Sequence, residues 1–105
     1  MHPLCDSHVH LDAAAFDADR DTVIERADDA GVQQMIVPAV DVDSWSRIKK
    51  LCANRPGIHP AYGLHPVYLA RHAPEHLERL GAWLNDGSAV AVGEIGLDFH
   101  LPELD

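Results

Sequence analysis

The sequence predicts an α/β fold made of successive parallel βα units. Three features carry that reading. Four short apolar runs have strand length, the three stretches between them carry apolar residues at helical spacing, and no hairpin signal joins any two runs. Parallel strands are buried on both faces, so they read as nearly continuous apolar runs.

The first strand is expected over residues 3–8, buried, running into Asp6-Ser7-His8-Val9-His10. A helix over 20–30 follows, with Val23, Ile24, Ala27 and Ala30 on one face. Asp17 or Asp19 is placed to cap its start, and Gly31 to end it in a left-handed turn. Residues 34–40, containing Met-Ile-Val-Pro-Ala-Val, form the second strand. Asp43 or Ser44 caps the second helix, whose apolar stripe is Trp45, Ile48, Leu51 and Cys52, and Arg55-Pro56-Gly57 stops it. The third strand is expected over 58–64, with Pro60 interrupting it. Pro74 suits the first position of a third helix, which buries His76, Leu77, Leu80, Trp83 and Leu84. Gly87 turns the chain into a fourth strand over 89–95.

A length of 105 residues fits one domain, and 47% apolar with 24% charged residues is an ordinary globular balance. The net charge of -9 leaves no broad basic surface for displacing phosphate counterions. Contact with nucleic acid must then be local, or bound cations must supply the positive charge. Cys5 and Cys52 form no CxxC and no disulfide framework. Both are expected to be reduced, buried and small-apolar in character, in a cytoplasmic protein without a secretory leader or a membrane span.

Eight histidines raise the prior for a metal or acid–base site. Asp6, His8 and His10 alternate along an extended segment, so their side chains share one side. Two imidazoles at that spacing can converge on one cation, with Asp6 near enough to orient a ring or approach the metal. Asp12 follows closely and either assists the site or, as its position favours, serves in a solvated loop or a cap. Glu94 follows an apolar run in Gly93-Glu94-Ile95-Gly96-Leu97-Asp98. A carboxylate at the end of a buried parallel strand is costly unless paired or metal-bound. The flanking glycines leave room for close approach. Asp98 either orients a ligand or sits in the loop. His65, in Gly63-Leu64-His65-Pro66, faces the same end of the sheet, where it either contacts substrate, supports a ligand or is structural. His2, His59, His72, His76 and His100 read as surface or packing residues. The chain has no GxxxxGK[ST], GxGxxG or GxSxG, and Cys52 has no evident base, so nucleotide-loop and nucleophile-elbow chemistry are unsupported.

Together, Asp6-Ser7-His8-Val9-His10-Leu11-Asp12, Gly63-Leu64-His65-Pro66 and Val92-Gly93-Glu94-Ile95-Gly96-Leu97-Asp98 resemble the TatD family of metal-dependent deoxyribonucleases, within the amidohydrolase-like barrels. The resemblance covers essentially the whole chain and rests chiefly on the last segment. It implies that residues 1–105 are the N-terminal half of a (β/α)8 TIM barrel. It implies one or two divalent ions (Zn, Mn, Ni, Fe or Mg), with His8, His10 and Glu94 as metal ligands and Glu94 also catalytic, bridging two cations. His65 would contact substrate or support a ligand. The implied reaction is hydrolysis of DNA or another phosphodiester, water of lowered pKa attacking phosphorus. Family members carry two further histidines and an aspartate on later strands that this chain lacks. Self-association or a missing C-terminal half is therefore expected, and the chain alone is expected to fall short of a competent enzyme. Two other readings stand beside this one. A barrel amidohydrolase cleaving a C–N or lactone bond typically has a metal-bridging lysine, and none lies near the fourth strand. A non-catalytic metal-binding or assembly module would have inherited its histidines and Glu94 from an enzyme.

Overall fold

A computed structural model describes residues 2–96. Seven regular elements alternate along the chain: β1 (Leu4–Asp6), α1 (Arg20–Asp29), β2 (Val32–Pro38), α2 (Val42–Cys52), β3 (Ile58–Tyr62), α3 (Pro74–Asn85) and β4 (Ala91–Val92). Short 3-10 turns, Ala14–Phe16 and Pro66–Arg71, lie in the loops after β1 and β3. The strands form one parallel sheet in the order β1-β2-β3-β4. This is the expected α/β arrangement, four strands and three crossover helices forming the first half of a (β/α)8 TIM barrel. The sheet curls strongly. Ala39 N–H donates to Ala61 O at 2.8 Å and to Gly93 O at 3.2 Å, while Glu94 N–H reaches Ala39 O at 2.8 Å. Backbone beyond β4 thus bonds to backbone beyond β2, across the end of β3.

The core lies between the sheet and its helices. Val37, Trp45, Ile48 and Tyr62 are fully buried, with Met35, Leu51, Ile58 and Leu80 close behind. Trp45, Tyr62 and Trp83 form an aromatic cluster with ring centroids 5.1–6.2 Å apart, in the tilted and edge-on geometries that aromatic pairs prefer. Trp45 also donates its indole N–H to Gly63 O at 3.1 Å, which satisfies a buried donor and ties α2 to the end of β3.

Several expectations need correction. The first strand is shorter than residues 3–8, and Leu4, Cys5 and Asp6 are exposed rather than buried. β1 and β4 are edge strands among the described residues. Each bonds on one side only, so apolar Leu4, Val90, Val92 and Ile95 remain accessible. Cys52 is half-buried, and burial pushes its thiol up to about 11, so it stays protonated at neutral pH. The α2 cap is Asp41, neither Asp43 nor Ser44. Its carboxylate accepts the Ser44 N–H at 3.0 Å, and the buried Ser44 side chain belongs to the same capping box. Asp19 precedes α1 but makes no side-chain cap. Gly31 does turn left-handed, at φ 95°. On α3 the stripe holds at Leu80, Trp83 and Leu84 but fails at Leu77, which is 65% exposed. Pro60 sits inside β3 rather than breaking it, its carbonyl accepting Val90 N–H at 3.0 Å.

Candidate metal centre

The side chains that matter gather where the strands end. β1 stops at Asp6, whose Oδ1 accepts the backbone N–H of His8 at 3.1 Å. That bond closes a bend at Ser7. Asp6 therefore shapes the loop and is not among the three clustered ligand groups described below. The next backbone bond, Val9 N–H to Ile36 O at 3.1 Å, keeps the segment against β2. His8 and His10 then bring Nε2 atoms to 3.2 Å from each other.

Glu94 arrives from the other edge of the sheet. Its backbone is held by Ala39 O, and the preceding Gly93 N–H by Tyr62 O at 3.0 Å. Gly63 makes this crossing feasible, because a Cβ there would stand closer than 3.0 Å to backbone atoms of Gly93 and Glu94. Glu94 Oε2 lies 3.0 Å from His10 Nε2, and Oε1 lies 3.5 Å from His8 Nε2. One ligand atom from each of His8, His10 and Glu94 falls within 4.8 Å of the other two.

This donor set fits a divalent cation. An ion about 2.0–2.2 Å from each of three nitrogen or oxygen ligands holds those ligands roughly 3–3.5 Å apart. The two Nε2 atoms are 3.2 Å apart, and each faces a different Glu94 oxygen, at 3.0 Å for His10 and 3.5 Å for His8, which lies in that range. Glu94 Oε2 is moreover buried without a hydrogen-bond partner among the described residues, although His10 Nε2 is near. A buried carboxylate oxygen left unpartnered is costly, and a cation would satisfy it.

His65 stands on the other side of Glu94, its Nε2 3.3 Å from Oε1. Its Nδ1 accepts the Val67 N–H at 3.0 Å, so the neutral ring carries its proton on Nε2. The ring thus turns an N–H toward the carboxylate rather than a lone pair toward a metal. Its backbone N–H is fixed to Val40 O at 2.7 Å. Asp98 lies outside the described residues. His59 and His76 are absorbed in local bonds to Gln34 and to the Ala73 N–H, and His72 Nε2 lies 2.8 Å from His65 O.

Two neighbours differ from the sequence reading: Asp12, expected in a solvated loop or cap, is nearly buried, and Arg47 carries no sequence signal. Asp12 and Arg47 line a groove of about 540 Å³ beside the cluster, with His10, His65, Tyr68 and Glu94. The Asp12 side chain is 9% exposed, and burial raises its carboxyl above the usual range. Arg47 lies on the outward side of α2, a position that periodicity can only read as solvent-facing.

Comparison with known proteins agrees with this geometry. The chain is 41% identical over 95 residues to the uncharacterized metal-dependent hydrolase YjjV of Escherichia coli K12, covering 89% of this chain and 37% of that protein. It is 33% identical over 95 residues to the 3'-5' ssDNA/RNA exonuclease TatD of Salmonella typhimurium, covering 90% of this chain and 36% of that protein. The crystal structure of the Escherichia coli YjjV, a TatD homolog, superposes with a TM-score of 0.85 at 39% identity, covering 91% of this chain and 38% of that one. The chain thus spans little more than a third of the length of these relatives. Since the family profile described as TatD related DNase matches residues 5–104, the chain belongs to that family.

Proposed function

We propose that residues 1–105 supply the N-terminal half of a divalent-metal-dependent phosphodiesterase that trims nucleic acid from an end. The observation that carries this reading is the convergence of His8, His10 and Glu94 at ligand spacing around an unpartnered carboxylate oxygen. A relative bearing an exonuclease name supports the substrate class. Further ligands come from later strands of the barrel, supplied by a C-terminal half or by another copy of the chain. A cytoplasmic setting goes with a nucleic-acid substrate. No described helix is long and apolar enough to cross a membrane.

In this reading His8 and His10 would hold the metal through neutral Nε2 lone pairs, and Glu94 through its carboxylate. Divalent metal held there lowers the pKa of water and offsets charge on the phosphoryl oxygens. His65 keeps its Nε2 proton and steadies the Glu94 carboxylate through Oε1. The groove beside the ligands receives the nucleotide. Hydrolysis adds the water oxygen to phosphorus and breaks one P–O ester bond. One water proton goes to the departing oxygen, and the other leaves with the solvent.

The test uses the intact protein that carries this chain, with Mg, Mn or Zn, on single-stranded DNA labelled at either end. Progressive shortening from one end, lost with chelator and reduced at least a hundredfold in Glu94→Gln, is expected. Cleavage that survives both chelation and Glu94→Gln, or no cleavage with any of the metals, would remove the reading.

A further inference from the structure

Among the described residues, the groove beside the metal ligands contains one arginine, Arg47, that donates no hydrogen bond. Arg20, Arg55 and Arg71 are each committed. Arg20 bonds Leu11 O at 2.7 Å, Ala13 O at 2.9 Å and Asp17 Oδ1 at 2.7 Å. Arg55 bonds Leu51 O at 2.9 Å and Asp21 Oδ1 at 2.8 Å. Arg71 bonds Asp41 Oδ2 at 3.2 Å and lies over the Tyr68 ring. Arg47 lines the groove, and among the described residues its guanidinium makes no hydrogen bond. Its single ionic neighbour is Asp12 Oδ2 at 4.0 Å, the outer limit of an ion pair.

That carboxylate restrains Arg47 without occupying it. Asp12 Oδ1 is buried with no hydrogen-bond partner among the described residues, so the pair is incompletely satisfied on both sides. A guanidinium presents planar, paired donors that match a phosphate. In a chain of net charge -9, an uncommitted arginine beside Glu94, His10 and His65 is a local exception. The adjoining cavity, which Arg47 also lines, is bordered by Asp12, Asp17, Asp19 and Asp21. Arg20, Lys50 and Arg55 line it too, so that cavity offers no net positive charge.

We propose that Arg47 binds a second phosphate of the substrate strand, next to the phosphodiester at the metal ligands, and so sets a preference for polynucleotides over single phosphodiesters. This rests on the phosphodiesterase reading above. Arg47 is a binding and specificity residue here and takes no part in bond cleavage.

The experiment measures kcat/KM of the metal-loaded intact protein on a short oligothymidylate and on bis(p-nitrophenyl) phosphate, which has one phosphate only. Arg47→Ala should lower the ratio of the two by about tenfold or more, chiefly through KM for the oligonucleotide. The dependence of log binding on log salt should flatten by about 0.7 for the lost single-strand contact. Arg47→Lys should restore part of the ratio, and Lys50→Ala, on the same helix but outside the groove, should leave it unchanged. An unchanged ratio in Arg47→Ala, or an equal loss on both substrates, overturns the Arg47 assignment while the phosphodiesterase reading stands. Hydrolysis of neither substrate by the wild-type protein overturns both readings.

Discussion

At the scale of residues, the centre depends on one contact that no local pattern reveals. His8, His10 and Glu94 are legible in the sequence because alternation fixes the first two on one side. An acidic residue after an apolar strand needs a partner. Gly63 and Arg47 are not legible in this way. What matters about Gly63 is the backbone of residues 93 and 94, which arrives from about thirty positions downstream. Gly63→Ala should therefore displace Glu94, cutting divalent-metal affinity by at least tenfold and destabilising the fold by about 1–3 kcal/mol. Gly81→Ala is the contrasting substitution. A Cβ there meets nothing within 4 Å, and alanine in a helix interior should add about 0.5–1 kcal/mol. Calorimetric metal titration beside denaturant unfolding checks both, and equal behaviour of the two variants would refute the close-approach argument.

Elements were readable where a periodic stripe meets a core. α2 buries Trp45, Ile48 and Leu51 as its spacing demands. Its start was misplaced because Asp41, Asp43 and Ser44 are all good capping types, and only the bond from Ser44 N–H to Asp41 selects among them. The strand ends were overextended for another reason. Apolar character runs from residue 89 to 92 and resumes at Ile95, but ladder pairing holds only at Ala91–Val92 before the backbone leaves β3 to reach Ala39. On α3 the same limit appears, since period alone could not separate Leu77 from Trp83. Trp83→Ala should cost about 3 kcal/mol, the low end for a tryptophan because the ring is only partly buried against Trp45 and Tyr62. Leu77→Ala should stay within about 0.5 kcal/mol. Thermal or denaturant unfolding of both variants decides the matter, and comparable losses would mean that α3 is turned differently on the sheet.

For the molecule as a whole, the centre joins the two edges of the sheet. His8 and His10 follow β1, while Glu94 follows β4, and the curl of the four strands brings them together. A cation shared between them would crosslink the first and last described strands, so its binding energy adds to the stability of the fold. The parallel βα architecture was legible because each of the first three strands is followed by a stretch of helix length with apolar residues at helical spacing. The curl was not, since it resides in backbone bonds such as Glu94 N–H to Ala39 O that link strands two apart. Nor could composition show that the acidic chain keeps an uncommitted arginine in the groove.

The central claim is that His8, His10 and Glu94 hold divalent metal, and metal content per chain after exhaustive dialysis tests it most directly. Elemental mass spectrometry should find tightly held divalent metal in the intact wild-type protein that carries this chain and little or none in the His8→Ala/His10→Ala double variant or in Glu94→Gln. Chelation should lower the wild-type Tm without affecting the variants. Metal retained in full by those variants, or an intact wild-type protein that binds none while folding normally, would contradict the assignment.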